Sequence, residues 1–158
     1  MRYHVAVKAA ILFFLLCAPA LADLSAGLQA MKNSDYATAL KEFLPLAKQG
    51  DAVAQLYLGG IYYFAFGVPQ DYKESVRWYR LAADRGNAYS QSCIGSMYEW
   101  GNGVPQDYTQ AHMWFNLAGA SGKADAIKYR DSVACKMTSD QIAEAQRLAR
   151  EWKPKTSQ

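Results

Sequence analysis

The chain has 158 residues, about half hydrophobic (51%) and a fifth charged (20%), with a formal charge of +3. This is the balance of a globular protein rather than a disordered one, and the length suits one domain of ordinary size. Without Arg2 and Lys8, which lie in a segment expected to be removed, fifteen basic side chains stand against fourteen acidic ones, so charge makes no case for nucleic acid or an anionic membrane as partner. The three cysteines, Cys17, Cys93 and Cys135, are too few and too scattered for a disulfide scaffold.

Residues 1–22 read as a secretory signal peptide. Arg2 and Lys8 give a basic start, Ala9 to Ala18 an apolar run, and Ala20-Leu21-Ala22 a small-x-small cleavage site. The run falls short of the roughly 20 residues that span a bilayer. Cleavage is therefore expected after Ala22, with no integral membrane anchor left, and the mature chain is expected to be exported to a periplasm or secreted. A lipoprotein reading through Cys17 is disfavoured by Leu16, where a small residue is expected.

A helical repeat domain is expected over residues 23–152. Its first hairpin, 23–50, pairs a helix carrying Leu24, Leu28 and Met31 on one face with a second carrying Tyr36, Leu40, Phe43, Leu44 and Ala47. Asp35 stands ready to cap the second helix. Pro45 lies inside that pattern as a local conflict, a place open to a kink or an early break.

From residue 52 the chain repeats itself. Gly67-Val68-Pro69-Gln70-Asp71-Tyr72 recurs as Gly103-Val104-Pro105-Gln106-Asp107-Tyr108, thirty-six positions later. The same offset carries Gly59 to Gly95, Tyr62 to Tyr98, Trp78 to Trp114 and Gly86 to Gly122. A period of this length means a solenoid built from one supersecondary unit. Within each unit Gly-Val-Pro must stop a helix, because proline lacks the N–H and restricts the residue before it. Asp71 and Asp107 then read as N-caps, with Glu74 and Gln110 placed to complete capping boxes. Gly86 and Gly122 suit left-handed helix ends. Hairpins are thus expected at 52–86 and 88–122. The recurring Gly59 and Gly95 cost about 1 kcal/mol each inside a helix, which implies that an adjoining helix comes close there. Tyr62, Tyr98, Trp78 and Trp114 are expected in the core.

A last, drifted hairpin is expected at 124–152. Ala126, Tyr129, Val133 and Ala134 mark its first helix. Thr138 and Gln141 form a capping box, and Ile142, Ala145, Leu148, Ala149 and Trp152 give an amphipathic second helix with Arg147 and Arg150 outside. Residues 153–158 are expected to fray.

Little in the sequence points to chemistry. His112 stands where the two preceding units have Val76 and Leu40, so it reads first as a packed structural histidine, with a catalytic or metal role as the alternative. A zinc site wants three or four His, Cys or carboxylate ligands, and no such cluster shows. Gly101-Asn102-Gly103 lacks the Gly-Lys-Ser/Thr and the strand of a phosphate loop and reads as a turn. Asp71 and Asp107 are explained as caps. Hence no cofactor, metal ligand or catalytic residue is assigned.

Ala54-Gln55, Leu58-Gly59, Tyr62, the Gly-Val-Pro-Gln-Asp-Tyr segment, Trp78-Tyr79, Ala82-Ala83 and Gly86 together resemble the Sel-one-like repeat family, a relative of the tetratricopeptide repeat with a slightly longer unit. Strict resemblance covers residues 52–122. Ala65 departs from it, since a glycine is usual there. The resemblance implies an all-α fold, a right-handed α-solenoid of antiparallel helical hairpins like a tetratricopeptide superhelix, used to bind or bridge other proteins. It implies no reaction. With the signal peptide it implies a non-enzymatic protein-interaction or scaffolding module of a bacterial cell envelope, whose protein or peptide partner the sequence does not identify. Two alternatives stand beside this. One is a cysteine-poor relative of exported repeat proteins that hydrolyse β-lactams, although those carry a cysteine pair in every unit. The other is a structural assembly subunit. By analogy with tetratricopeptide repeats, positions just beyond the repeated tyrosine face the concave groove. This singles out Tyr63, Phe64, Glu99 and Trp100 as candidate partner contacts, with packing against the neighbouring unit as the equal alternative.

Overall fold

The computed structural model describes residues 22–155, so the expected signal peptide lies outside the described residues except for Ala22. Among the described residues eight helices follow one another: α1 Leu24–Lys32, α2 Tyr36–Lys48, α3 Ala52–Phe64, α4 Tyr72–Asp84, α5 Ala88–Trp100, α6 Tyr108–Ala120, α7 Ala124–Ala134 and α8 Ser139–Glu151. No strand occurs among the described residues. From α1 to α7 each helix packs on the next, which is the arrangement of an α-solenoid.

The helix starts follow the expected chemistry. Asp35, Asp51, Asp71, Asn87 and Asp107 each accept a hydrogen bond from a backbone N–H three residues on, at 2.7–3.1 Å. Among the described residues the reciprocal half of the box forms only at Thr138 and Gln141. Glu74, expected to reach back to its cap, is bound by Arg77 instead. Pro45 does not break α2, which continues to Lys48. Leu44 departs from the expected buried stripe and is 36% exposed.

The Gly-Val-Pro-Gln-Asp segment joins two helices by backbone bonds. Gln70 Nε2 donates to the Tyr63 carbonyl at 2.8 Å, and Gln106 Nε2 to that of Glu99 at 2.7 Å. The Asp71 N–H donates to Tyr62 O and the Asp107 N–H to Tyr98 O, at 3.0 and 2.9 Å. Two carbonyls of the last turn of one helix and the N–H of the next helix's cap residue are thereby satisfied across each turn. Gly103 has φ +72°, and a Cβ there would sit 2.6 Å from the Tyr72 carbonyl carbon. The turn of one unit therefore rests directly on the start of α4 in the unit before.

The expected close approach at Gly59 and Gly95 is present. A Cβ on Gly59 would strike the Tyr79 ring, and one on Gly95 would lie 2.8 Å from Phe115. Gly27 stands against Phe43 in the first hairpin in the same way. Its turn is shorter, so Gly27 stands thirty-two rather than thirty-six positions before Gly59, although Phe43 keeps the grid with Tyr79 and Phe115, and the sequence reading missed the glycine. Gln55 and Gln91 add a polar clip, each buried amide donating to a carbonyl near the end of the preceding helix, Ala47 and Ala83, at 2.9 and 3.3 Å. Trp78 and Trp114 are buried in the core as expected, 2% and 1% exposed, while Tyr62 and Tyr98 are half-buried.

The last two helices differ from the expected hairpin. Rather than pairing with α7, α8 turns back onto α6. Ala145, Leu148, Ala149 and Trp152 join the cluster built around Tyr79, Ile94 and Trp114, and the Trp152 ring meets the Trp114 ring edge-on with centroids 6.3 Å apart. The chain beyond it, expected to fray from 153, is held as far as Lys155. There the backbone N–H donates to Asp84 O at 2.7 Å and the ammonium pairs with the Asp84 carboxylate at 2.6 Å.

Candidate partner groove

The first helices of successive units, α1, α3 and α5, enclose two apolar hollows. One, of about 300 Å³, lies between α1 and α3 and is lined by Met31, Leu56, Tyr57, Gly60, Phe64, Phe66 and Tyr79. The other, of about 220 Å³, lies between α3 and α5 and is lined by Tyr63, Phe64, Tyr79, Cys93, Ser96 and Met97. Phe64 and Tyr79 belong to both, so the two hollows form one groove with Phe64 between them. Among the described residues, no charged side chain lines it.

Local sequence explains this shape. Leu56, Gly60 and Phe64 recur every four residues and therefore share one face of α3. Gly60 opens the floor, and the helix ends just beyond Phe64, leaving that ring 59% exposed. Phe66 stacks on Tyr36 at 4.8 Å and lies 5.5 Å from Phe64, so the exposed ring is backed by other aromatics.

The four candidate contacts do not act alike. Phe64 borders the groove. Tyr63 lines it half-buried, its hydroxyl accepting from Asn102 Nδ2 at 3.2 Å. Trp100, the counterpart of Phe64, is 66% exposed but lines neither hollow, and the Lys136 ammonium lies 5.2 Å from its ring centroid. Glu99 is turned inward. It is 8% exposed, and its carboxylate is held by Lys136 at 2.9 Å. That ion pair ties α5 to the end of α7 and takes Glu99 out of the set of surface contacts. Met31, Leu56, Tyr57, Gly60, Phe66 and Met97 were missed by the sequence reading. The four-residue spacing along α3 carried a signal for Leu56 and Gly60, whereas Phe66 lies in the turn and Met31 in the neighbouring hairpin.

The groove is poorly equipped for chemistry. Burial pushes the Tyr79 phenol far above its ordinary range. Burial also raises the Cys93 thiol, with a hydrogen bond to Tyr79 opposing in part. A thiol held protonated is a weak nucleophile at neutral pH. Cys93 and Cys135 are both unpaired. Asp71 and Asp107 are occupied as caps, and no group of three metal-ligating side chains occurs among the described residues.

Comparison with known proteins agrees with this architecture. The Sel1 repeat profile matches residues 52–87 and 88–123. A protective antigen from uropathogenic Escherichia coli strains, displaying an SLR fold, superposes with a TM-score of 0.77 at 28% identity, over 80% of this chain and 28% of the antigen. A Sel1 repeat protein from Oxalobacter formigenes superposes with a TM-score of 0.69 at 23% identity, over 83% of this chain and 56% of that one. The chain thus spans well under two thirds of either structure. No curated protein sequence matches it. Sel1 repeats commonly serve as protein–protein interaction modules. The thirty-six-residue unit is thus a Sel1 repeat, and the chain carries two of them within an all-α helical solenoid.

Proposed function

We propose that the protein is a non-enzymatic interaction module of the bacterial cell envelope, and that its groove receives an apolar face of a protein partner. The observation that carries this is the uncharged groove across α1, α3 and α5 with Phe64 59% exposed at its centre. An aromatic side chain in a concave, apolar setting is the usual form of a binding hot spot. Export rests on the basic start, apolar run and Ala-Leu-Ala site of residues 1–22.

The test is crosslinking in the native envelope with the exported protein as bait, comparing wild type with Phe64→Ser. Truncating a hot spot costs about 2 kcal/mol or more, or roughly thirtyfold in affinity. Loss of one defined crosslinked protein from the variant, with its melting temperature kept, supports the reading. Equal capture by both refutes it.

A further inference from the structure

A third hollow, of about 470 Å³, opens between α6, α7 and α8, where α8 has left α7 to pack on α6. Its character is opposite to that of the groove. His112 and Asn116 come from α6, Arg130 and Asp131 from α7, and Gln146 and Arg150 from α8.

Two independent features mark this cleft. The first is His112, which is 3% exposed and whose Nδ1 has no hydrogen-bond partner. The preceding units place Val76 and Leu40 at this position. A buried polar atom without a partner is costly, and this one stands where the repeat itself supplies aliphatic carbon. The second feature is charge. Arg130 is engaged inside the cleft, its Nε and Nη2 donating to Asp131 Oδ1 at 2.9 and 2.7 Å and its Nη1 to Asn116 Oδ1 at 3.3 Å. Arg150 takes part in none of the ion pairs among the described residues. The cleft therefore carries one net positive charge, on a guanidinium whose fork is free.

We propose that this cleft binds a monocarboxylate, the group shared by a peptide's C-terminus and a free small acid, with Arg150 as its principal cation. A guanidinium fork matches the two oxygens of a carboxylate. A phosphate dianion would face Asp131 with a single free cation to offset it. Asn116, whose Oδ1 is turned to Arg130, keeps its amide N–H groups for the ligand. Gln146 offers a second amide, and His112 lines the cleft as a reporter of its occupancy.

The test follows the His112 imidazole by NMR while four probes are added separately: N-acetylalanine, its amide, trialanine with a free C-terminus, and inorganic phosphate. The expected result is a saturable shift with the two carboxylates and none with the amide. Tighter binding of trialanine than of N-acetylalanine identifies a peptide end as the natural form, and equal binding identifies a small acid. Arg150→Gln lies on the exposed side of α8 and should keep the wild-type melt while weakening the carboxylates at least about tenfold. Arg150→Lys should recover part of that loss. The proposal is overturned by the absence of a saturable shift, by an amide that binds as well as the acid, by phosphate binding as tightly as carboxylate, or by an unaffected Arg150→Gln variant.

Discussion

Ala65 offers the sharpest test of the repeat as a physical unit. It ends α3 with φ 60° and ψ 38°, while Gly101 ends α5 with φ 70° and ψ 29°. The two residues make the same left-handed turn, one with a Cβ and one without. For an L residue bearing a side chain, that conformation costs about 1–2 kcal/mol. Replacing Ala65 by glycine removes the cost but loosens the unfolded chain, returning about 0.4–1 kcal/mol. Ala65 is exposed, so its methyl group leaves no cavity. The net expectation is a gain of about 0.5–1 kcal/mol for Ala65→Gly. Gly101→Ala should lose a similar amount or slightly more, because its Cβ would lie 3.4 Å from the Gln106 nitrogen. For a domain of this size 1 kcal/mol moves the melting temperature by about 3–5 °C. Urea and thermal melts of both variants and of the double variant measure this, and the two effects should add within about 0.5 kcal/mol. If Ala65→Gly is neutral or destabilising, no strain is stored at that helix end and the argument fails.

Gly95→Leu should destabilise more than Gly101→Leu in a denaturant melt, because the first drives carbon into Phe115, at about 1–3 kcal/mol or more, and the second costs chiefly its backbone angle, its nearest contact being the Gln106 nitrogen at 3.4 Å. Trp114→Ala should lower stability by about 3–5 kcal/mol, since the ring is 1% exposed. Trp100→Ala, at 66% exposure, should leave the melt nearly unchanged; equal losses would place Trp100 in the core. Stability should fall as pH drops through about 6.5, the unfolded histidine value. Burial, then Arg130, hold the His112 pKa below its ordinary value, with Asp131 opposing, so protons favour the unfolded chain there. In His112→Val, urea midpoints at pH 7.5 and 5.5 should differ less than in wild type, and an unchanged difference would show that another group titrates. Intact mass of exported protein should correspond to a chain starting at Asp23, and a retained N-terminus or a lipid on Cys17 would contradict the signal-peptide reading.

The period made most of the fold legible. Once Gly59 and Gly95, or Asp71 and Asp107, share an offset, their helices, caps and turns follow from local rules about proline, glycine and carboxylates. What failed to show was what the period does not encode. The Glu99–Lys136 pair joins side chains from different hairpins, so neither residue announces it in its own helix. Phe64 was visible as an aromatic at a helix end, but the groove around it needs Met31 from one hairpin and Met97 from another. Of the two outcomes expected at Pro45, the early break does not occur, since α2 runs on to Lys48. A proline near the end of a helix forfeits one bond in a last turn that is weakly held in any case, and α2 absorbs it.

The return of α8 onto α6 also left a trace, in the places where the third unit departs from the second. At the position of exposed Arg77 the third unit has Met113, which is 6% exposed. At that of Val76 it has His112, and at that of Arg80 it has Asn116. Five consecutive residues of α6, Ala111 to Phe115, are buried. A helix covered on one side only cannot bury five in a row, because 3.6 residues already complete a turn. The run therefore requires a further neighbour on the outer side of α6, and α8 supplies it through Ala145 and Leu148, which share the cluster of Met113 and Trp114. The outward arginine of the repeat had to become apolar where α8 lies upon it. The polar exceptions beside it, His112 and Asn116, fall where α7 and α8 stand apart and the cleft opens. The same departures from the repeat thus mark both how the solenoid is closed and where the polar cleft proposed to bind a carboxylate opens.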